Sequence, residues 1–486
     1  MANRWGICSQ NRVDKTNLLI LFSFPDTFMH MKTDLVGNTD LLATLSDTLL
    51  AHICMKMGLI YSPFKLYLDI NHLLLLPFIS TSLQTPLLKF AVPLTEWLVS
   101  ILANFNIQQI FAFSYDSYCQ TISWQSDIHK KAAHAILSCK TGKLGMNFSL
   151  CDDCGHVAVH NNSCRNRNCP NCQAVLKEIW VDKRRSEVID SPYFHVVFTL
   201  PHELNPLIYC NQKLLYGLLH RCCAETLLEL SADKKYLGAT PGIIQILHTW
   251  NQELDYHVHM HCIVSGGGLT NDKHIQKSSK NFFLPVRVLR DKFKGKYLAN
   301  LNDLYENGSL SFSSSCRNLP DEENWKSFKN SLYEKDWCPY IKETFNGFGN
   351  AIEYLGRYTH KIAISNSRIL SVTETETTFT ARAQKPSEPK RRITLKNEEF
   401  IRRYLMHVLP LGFQKIRYYG FLNNRMKTQN LKIIFRLQGK QRFKQRYEGM
   451  TVAQLLKAVW NFDICLCPQC GSSSMKQLGK CHVPPP

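Results

Sequence analysis

At 486 residues the chain exceeds one ordinary domain and has length for two to four units, each able to bury its own core. A formal net charge of +19 and a pI of about 9.2 argue against cationic ligands, which such a field repels, and point to a polyanionic partner. The 19 cysteines exclude a small disulfide scaffold in a chain this long, and their CxxC pairs read as zinc ligands in a reducing compartment.

The first 120 residues hold 7 Lys and Arg against 8 Asp and Glu, so all of the excess positive charge lies beyond them. Residues 1–124 carry no motif and are expected to form an unassigned, helical segment. Their first 22 residues lack a basic n-region, a continuous apolar run and a small-residue cleavage site, which argues against a signal peptide. The charge-free runs at 70–88 and 97–115 are broken by Pro77, Pro86, Asn104, Asn106, Gln108 and Gln109, so neither is expected to cross a membrane.

A zinc-binding, DNA-recognition module is expected over 125–190. Cys151-x2-Cys154 and Cys169-x2-Cys172, with Gly155 and Pro170 at their turns, predict one closed tetrahedral thiolate site that is structural. His156, His160 and Cys164 lie between the pairs as substitute ligands. Arg165 and Arg167 stand beside the knuckles as candidate DNA contacts.

Strands are predicted at 194–200, 243–247 and 256–264 from their Val, Ile, Phe and Tyr content, and a helix at 211–230 from the helical spacing of its leucines. The third strand reads Tyr-His-Val-His-Met-His-Cys-Ile-Val. Alternation puts His257, His259 and His261 on one face and Val258, Met260, Cys262 and Val264 in the core. A row of imidazoles on such a strand suits a divalent ion that polarises a phosphodiester. Gly266, Gly267 and Gly268 are expected to end the strand and to permit close backbone approach.

A helix is predicted at 351–364, where Tyr354 and Tyr358 sit one turn apart on one face. Tyrosines at this spacing usually pack a core. Arg357 and His360 beside them supply the cation and relay that a phosphate site needs, which favours a nucleophile pair. Residues 371–392 read as a β-ribbon or loop. Residues 390–446 hold 16 Lys and Arg against Glu398 and Glu399 alone. There Arg402, Arg403, Lys415 and Arg417 interleave with Phe400, Tyr404, Phe413, Tyr418, Tyr419 and Phe421, a pattern that suits unpaired DNA or a core beneath a basic face. The tail pair Cys467 and Cys470, with Cys481 and His482, is at most a zinc half-site and is expected to hold nothing.

The blocks CKTGKLG (139–145), SCRNRNCPNC (163–172), FHVVFTLPHELN (194–205), LHTWNQELDYHVHMHCIVSGGGL (247–269), EYLGRYTHKIAISNSRI (353–369) and FIRRYLMHVLPLGFQKIRYYGFLNNR (400–425) resemble the two-tyrosine HUH transposases of rolling-circle insertion sequences, of the insertion-sequence-ninety-one kind. The resemblance implies an α+β chain. A zinc module at 125–190 would precede an HUH nuclease core at 191–385, whose central antiparallel sheet is flanked by helices. A basic DNA-binding part at 386–450 and a tail at 451–486 would follow. It places the HUH motif on His259-Met260-His261 and the tyrosine pair on Tyr354 and Tyr358. It also implies Mg²⁺ or Mn²⁺ held by the two histidines and a third ligand, with His257, His360 and Glu353 as candidates. The expected activity is nicking and rejoining of single DNA strands through a 5′ phosphotyrosine, with element ends and target DNA as partners, in the bacterial cytoplasm at the nucleoid and away from any membrane. A replication initiator or relaxase would use the same site. A zinc-finger regulator would bind DNA without cutting it.

Overall fold

The computed structural model describes residues 59–62, 65–68, 105–278, 284–337, 339–343, 356, 363–383, 387–440 and 444–481. The chain divides into a unit at 1–102 and a unit at 103–486. In the first, β1 (Leu59–Ser62) and β2 (Lys65–Leu68) pair antiparallel, with Leu59 opposite Leu68. This described part is strand where the composition suggested helix.

The second unit opens with α1 (Ile107–Thr121) and α2 (Asp127–Ser138). Asn106 and Gln109 form a reciprocal capping box that satisfies the first free amides of α1, and Ser126 caps α2. A hairpin of β3 (Met146–Cys151) and β4 (Val157–Asn161) follows, then α3 (Ala174–Arg185). Next come β5 (Tyr193–Thr199), α4 (Asn205–Cys210), α5 (Gln212–Ala232), β6 (Thr240–Trp250) and β7 (Tyr256–Leu269). Beyond them lie β8 (Ile275–Lys277), α6 (Val286–Glu306), α7 (Glu322–Glu334) and β9 (Tyr340–Glu343). The chain continues through β10 (Ile369–Val372), β11 (Glu376–Ala381), β12 (Arg391–Lys396), α8 (Asn397–Leu405) and β13 (Ile416–Gly420). It closes with α9 (Lys427–Leu437), α10 (Val452–Trp460) and β14 (Met475–Cys481).

The fold is α+β around a sheet of order β13-β6-β7-β5-β9, with β8 added to β7 and every pairing antiparallel. The period of two decides its layers. Phe194, Val196, Phe198, Ile243, Leu247, Val258, Met260, Cys262 and Val264 leave one face and bury against Leu215, Tyr216 and Leu219 of α5 and Phe293 and Tyr297 of α6. Each fully buried side chain of this size stabilises the fold by about 1.5–3 kcal/mol. On the opposite face Ile244, Ile246 and Ile263 meet Val181 of α3 and Leu431, Ile434 and Phe435 of α9. A separate core joins α1, α2 and α8 to the β10-β11-β12 meander and encloses Cys139 and Cys169. The helix α1, at the edge of the expected first segment, therefore packs on the basic region.

The basic region is woven into all three cores. Phe400, Tyr404, Phe413 and Phe421 are buried, while Tyr418 and Tyr419 are half-buried on β13, the edge partner of β6. The expected strand end at 266–268 moves outward, because β7 runs through all three glycines to Leu269. Close approach is their reason for being there: a Cβ on Gly268 would lie 2.5 Å from the Thr240 carbonyl oxygen, and one on Gly266 2.6 Å from the Phe194 ring.

Candidate functional site: a histidine cluster and two cysteine clusters

The hairpin of β6 and β7 turns over residues 251–255, and its register sets His248 opposite His259 and Ile246 opposite His261. With Leu247 and Met260 turned into the core, His248, His259 and His261 share the other face. Their ring nitrogens lie within 4.8 Å of one another. Ring centroids are 5.4 Å apart for His248 and His259, 4.3 Å for His248 and His261, and 4.8 Å for His259 and His261. The third member of the cluster comes from the neighbouring strand. Of the third-ligand candidates, His257 stands 5.0 Å from His259 by ring centroid, outside the group of three. Counting back across the 251–255 turn from Trp250 opposite Tyr256 would set Leu247 against His259; a register shift between His248 and Trp250 brings His248 there instead, and the sequence carries no signal for it.

Hydrogen bonds orient the rings. His259 Nδ1 lies 2.9 Å from the His257 carbonyl oxygen, which can only accept, so Nδ1 carries the proton and Nε2 presents its lone pair. His261 Nδ1 meets His195 Nε2 at 2.8 Å. When His261 donates in that bond, the lone pair of its ring lies on Nε2, and His195 on β5 becomes the residue that selects the tautomer. Burial pushes the His259 imidazole down to about 4, with His257 and His195 adding to the effect. Burial first, then the charges of His259, His195 and Lys415, holds His261 well below its ordinary value. His195 is likewise pushed down to about 4, by burial and then by Lys342. The rings are thus neutral near pH 7, the state in which imidazole binds metal.

Trp250 stacks on His248 at 4.5 Å and 20°, and Lys415 Nζ sits 4.8 Å over the Trp250 ring. Burial, and after it Arg167, pushes the Lys415 ammonium down to about 7.

Tyr354, Tyr358, Arg357, His360 and Glu353 lie outside the described residues. Gly356, midway between the tyrosines, is helical and buried, and a Cβ there would lie 2.4 Å from Val181 Cγ2 on α3. That side chain joins the core on the histidine side of the sheet.

The four cysteines expected to share one zinc do not meet. Cys169 and Cys172 cluster with Cys139 and Cys164, with Cys139 Sγ 3.4 Å and Cys164 Sγ 3.5 Å from Cys172 Sγ. Cys151 and Cys154 instead face Cys467 and Cys470. The correction has a geometric cause. Cys151 ends β3 and Cys154 lies in the β3–β4 turn, whereas Cys169 is buried in the core between α1, α2 and α8. His156 and His160 join neither cluster, and the tail pair expected to hold nothing completes one of them. Cys139, which opens the first quoted block, had no CxxC partner to mark it.

The basic candidates divide by their contacts. Arg167 donates to the carbonyls of Leu409, Pro410 and Phe413 at 3.1, 2.9 and 2.6 Å, so it anchors the loop before β13. Arg402 grips Glu399 through two bonds of 2.6 and 2.8 Å, and Arg403 joins Glu399 to Asp255. Together they hold the Glu399 carboxyl down to about 2. Arg417 covers the Phe413 ring at 5.2 Å, and Arg165 is exposed with a left-handed backbone, φ 52°. Among the described residues no helix is long and apolar enough to cross a membrane.

Comparison with known proteins bears on both parts of the chain. Residues 110–200 match the family described as "Transposase zinc-binding domain", and residues 242–430 match the family described as "Putative transposase". The "Putative transposase y4qJ" of Sinorhizobium fredii is 37% identical over 382 residues, covering 76% of this chain and 94% of that protein. The transposase for insertion sequence element IS801 of Pseudomonas savastanoi pv. phaseolicola is 29% identical over 358 residues, covering 71% of this chain and 82% of its own. No solved structure matches.

Proposed function

The chain belongs to the IS91 family of transposases, with an N-terminal zinc-binding domain and DNA as its partner, and from that premise we propose that it cuts and rejoins single DNA strands through a 5′ phosphotyrosine on Tyr354 or Tyr358. The observation that carries this reading is the cluster of His248, His259 and His261 on one face of the central sheet. Their ring nitrogens, Nε2 on His259 and His261, suit a divalent cation, which would draw charge from the scissile phosphate and stabilise the departing oxygen. Three imidazoles form a nitrogen-rich set that fits Mn²⁺ better than the oxygen-seeking Mg²⁺.

In the proposed chemistry a tyrosine phenol gives up its proton, its oxygen attacks phosphorus and the bond to the 3′ oxygen breaks. The 3′ oxygen takes up a proton in turn, leaving a 3′ hydroxyl. One phosphoester replaces another, so the bond energy is kept for rejoining and no external energy is needed. His195 keeps His261 in the ligand tautomer. The clash that a side chain at Gly356 would meet at Val181 supports a tyrosine segment lying close against α3, on the histidine side of the sheet. The second tyrosine would serve the target or the other element end, which is the arrangement rolling-circle transposition requires.

The test is incubation of the full chain with single-stranded DNA of the element end and Mn²⁺, followed by a denaturing gel. A covalent protein–DNA band is expected in the wild type and none when Tyr354→Phe and Tyr358→Phe are combined. Retained DNA binding with no adduct under any divalent cation would instead make the protein a zinc-dependent DNA-binding regulator.

A further inference from the structure

The beginning and end of the second unit meet in a three-stranded sheet of order β14-β3-β4. β14 runs antiparallel to β3, from Met475 opposite Cys151 to Cys481 opposite Met146. Beside this seam Cys151 Sγ lies 3.6 Å from Cys470 Sγ, and Cys154 Sγ lies 3.6 Å from Cys467 Sγ. These separations are far beyond a disulfide of about 2.05 Å. They approach the edge of a tetrahedron of thiolates, about 3.8 Å when each sulfur is about 2.3 Å from zinc.

The two turns are built alike, although they lie at opposite ends of the unit. Each reads Cys-x-x-Cys-Gly. Gly155 N donates to the Cys151 carbonyl at 2.9 Å, and Gly471 N donates to the Cys467 carbonyl at 2.8 Å. The two glycines have φ of +71° and +73°, left-handed values that favour glycine. Asp153 in the first turn accepts from Ser472 and Ser474 beside the second. Such matched knuckles around four sulfurs are what a closed zinc site needs, and the strand pairing brings them together independently of any metal.

We propose that Cys151, Cys154, Cys467 and Cys470 bind a structural zinc ion of their own, separate from the site of Cys139, Cys164, Cys169 and Cys172, and that this ion fastens the C-terminal tail to the zinc-binding domain. The ribbon it closes is split across the chain: one knuckle lies within the matched zinc-binding range 110–200, and the other lies beyond both matched ranges, which end at 430. The catalytic sheet is then an insertion between the halves of a zinc ribbon.

The experiment uses the full chain, purified without chelator and reconstituted with Co²⁺. Thiolate-to-cobalt charge transfer reports sulfur ligation alone, so a cation on the histidine cluster does not contribute to it. The band should correspond to eight thiolates per chain and fall to half in Cys467→Ser with Cys470→Ser, with one metal ion fewer by mass spectrometry under native conditions. The exposed Cys465 is outside the cluster, and Cys465→Ser should leave the band unchanged. Should the double variant fail to fold, alkylation of the wild-type zinc protein decides the matter. Cys467 and Cys470 should resist iodoacetamide until a chelator is added, while Cys465 reacts at once. A wild-type band of only four thiolates, or Cys467 and Cys470 reacting as fast as Cys465 with zinc present, overturns the proposal.

Discussion

His248 and His195 are the residues whose roles depend on neighbours far away in the chain. Alternation within one strand made His259 and His261 legible, because each residue's face follows from its own segment. The third ring and the ring behind it come from β6 and β5, and their places follow from strand register, which local pattern does not encode. His248→Ala should therefore weaken Mn²⁺ binding, measured by calorimetry, and abolish the covalent DNA adduct. His257→Ala should leave both near the wild-type level, and an equal loss in the two variants would sink the assignment of the third ligand. His195→Phe keeps a ring but removes the acceptor for His261 Nδ1. It should lower metal affinity about 10–100-fold, the usual scale for the partner of a liganding imidazole. The basic side chains teach a complementary lesson. Arg167, Arg402 and Arg403 were conspicuous as charge, but carbonyls and carboxylates within the chain claim their guanidinium groups. Counting charge does not reveal such internal partners.

Among the elements, those with a strong internal period were readable: the leucine-spaced α5, the alternating β7 and the threonine-rich meander β10-β11-β12. Close packing between elements was not, since it appears in the sequence only as an unexplained glycine. Gly356 is the case with a functional consequence. A methyl there must displace Val181 Cγ2, 2.4 Å away, so Gly356→Ala should shift the tyrosine-bearing segment away from α3. The expected result is a slower appearance of the covalent adduct with zinc content unchanged, and Val181→Ala in the same chain should restore part of the rate. Failure of that second change to help would show that the glycine serves some other need. Arg167→Ala should loosen the loop at 409–413, which loses its three guanidinium contacts, and limited proteolysis should then cut there first.

For the molecule as a whole, two solution conditions probe its cores. Chelation should open the core shared by α1, α2 and α8, because Cys139 and Cys169 are part of its packing and four uncompensated thiols would be left there. A fall in Tm on chelation that re-addition of zinc reverses would bear this out. Acid should act through buried neutral histidines. Burial pushes His407 down to about 4 and His220 down to about 3 in the folded chain. The unfolded chain takes up these protons near pH 6.5, so stability is complete above that pH and declines as pH falls toward 4. His407 alone would withdraw about 3 kcal/mol across that window, at about 1.4 kcal/mol per pH unit. Urea midpoints at pH 7.5, 6 and 5 should fall in step, and less steeply in His407→Gln; parallel curves would refute the attribution. The pairing of β14 with β3 also imposes an order on biosynthesis. Cys151 and Cys470 are 319 residues apart, so β3 emerges from the ribosome with an open edge and half a metal site, and stays so until the second knuckle and β14 behind it are translated. A chain terminated early would keep that sticky edge exposed to aggregation and proteolysis, whereas a finished one covers it with its own tail.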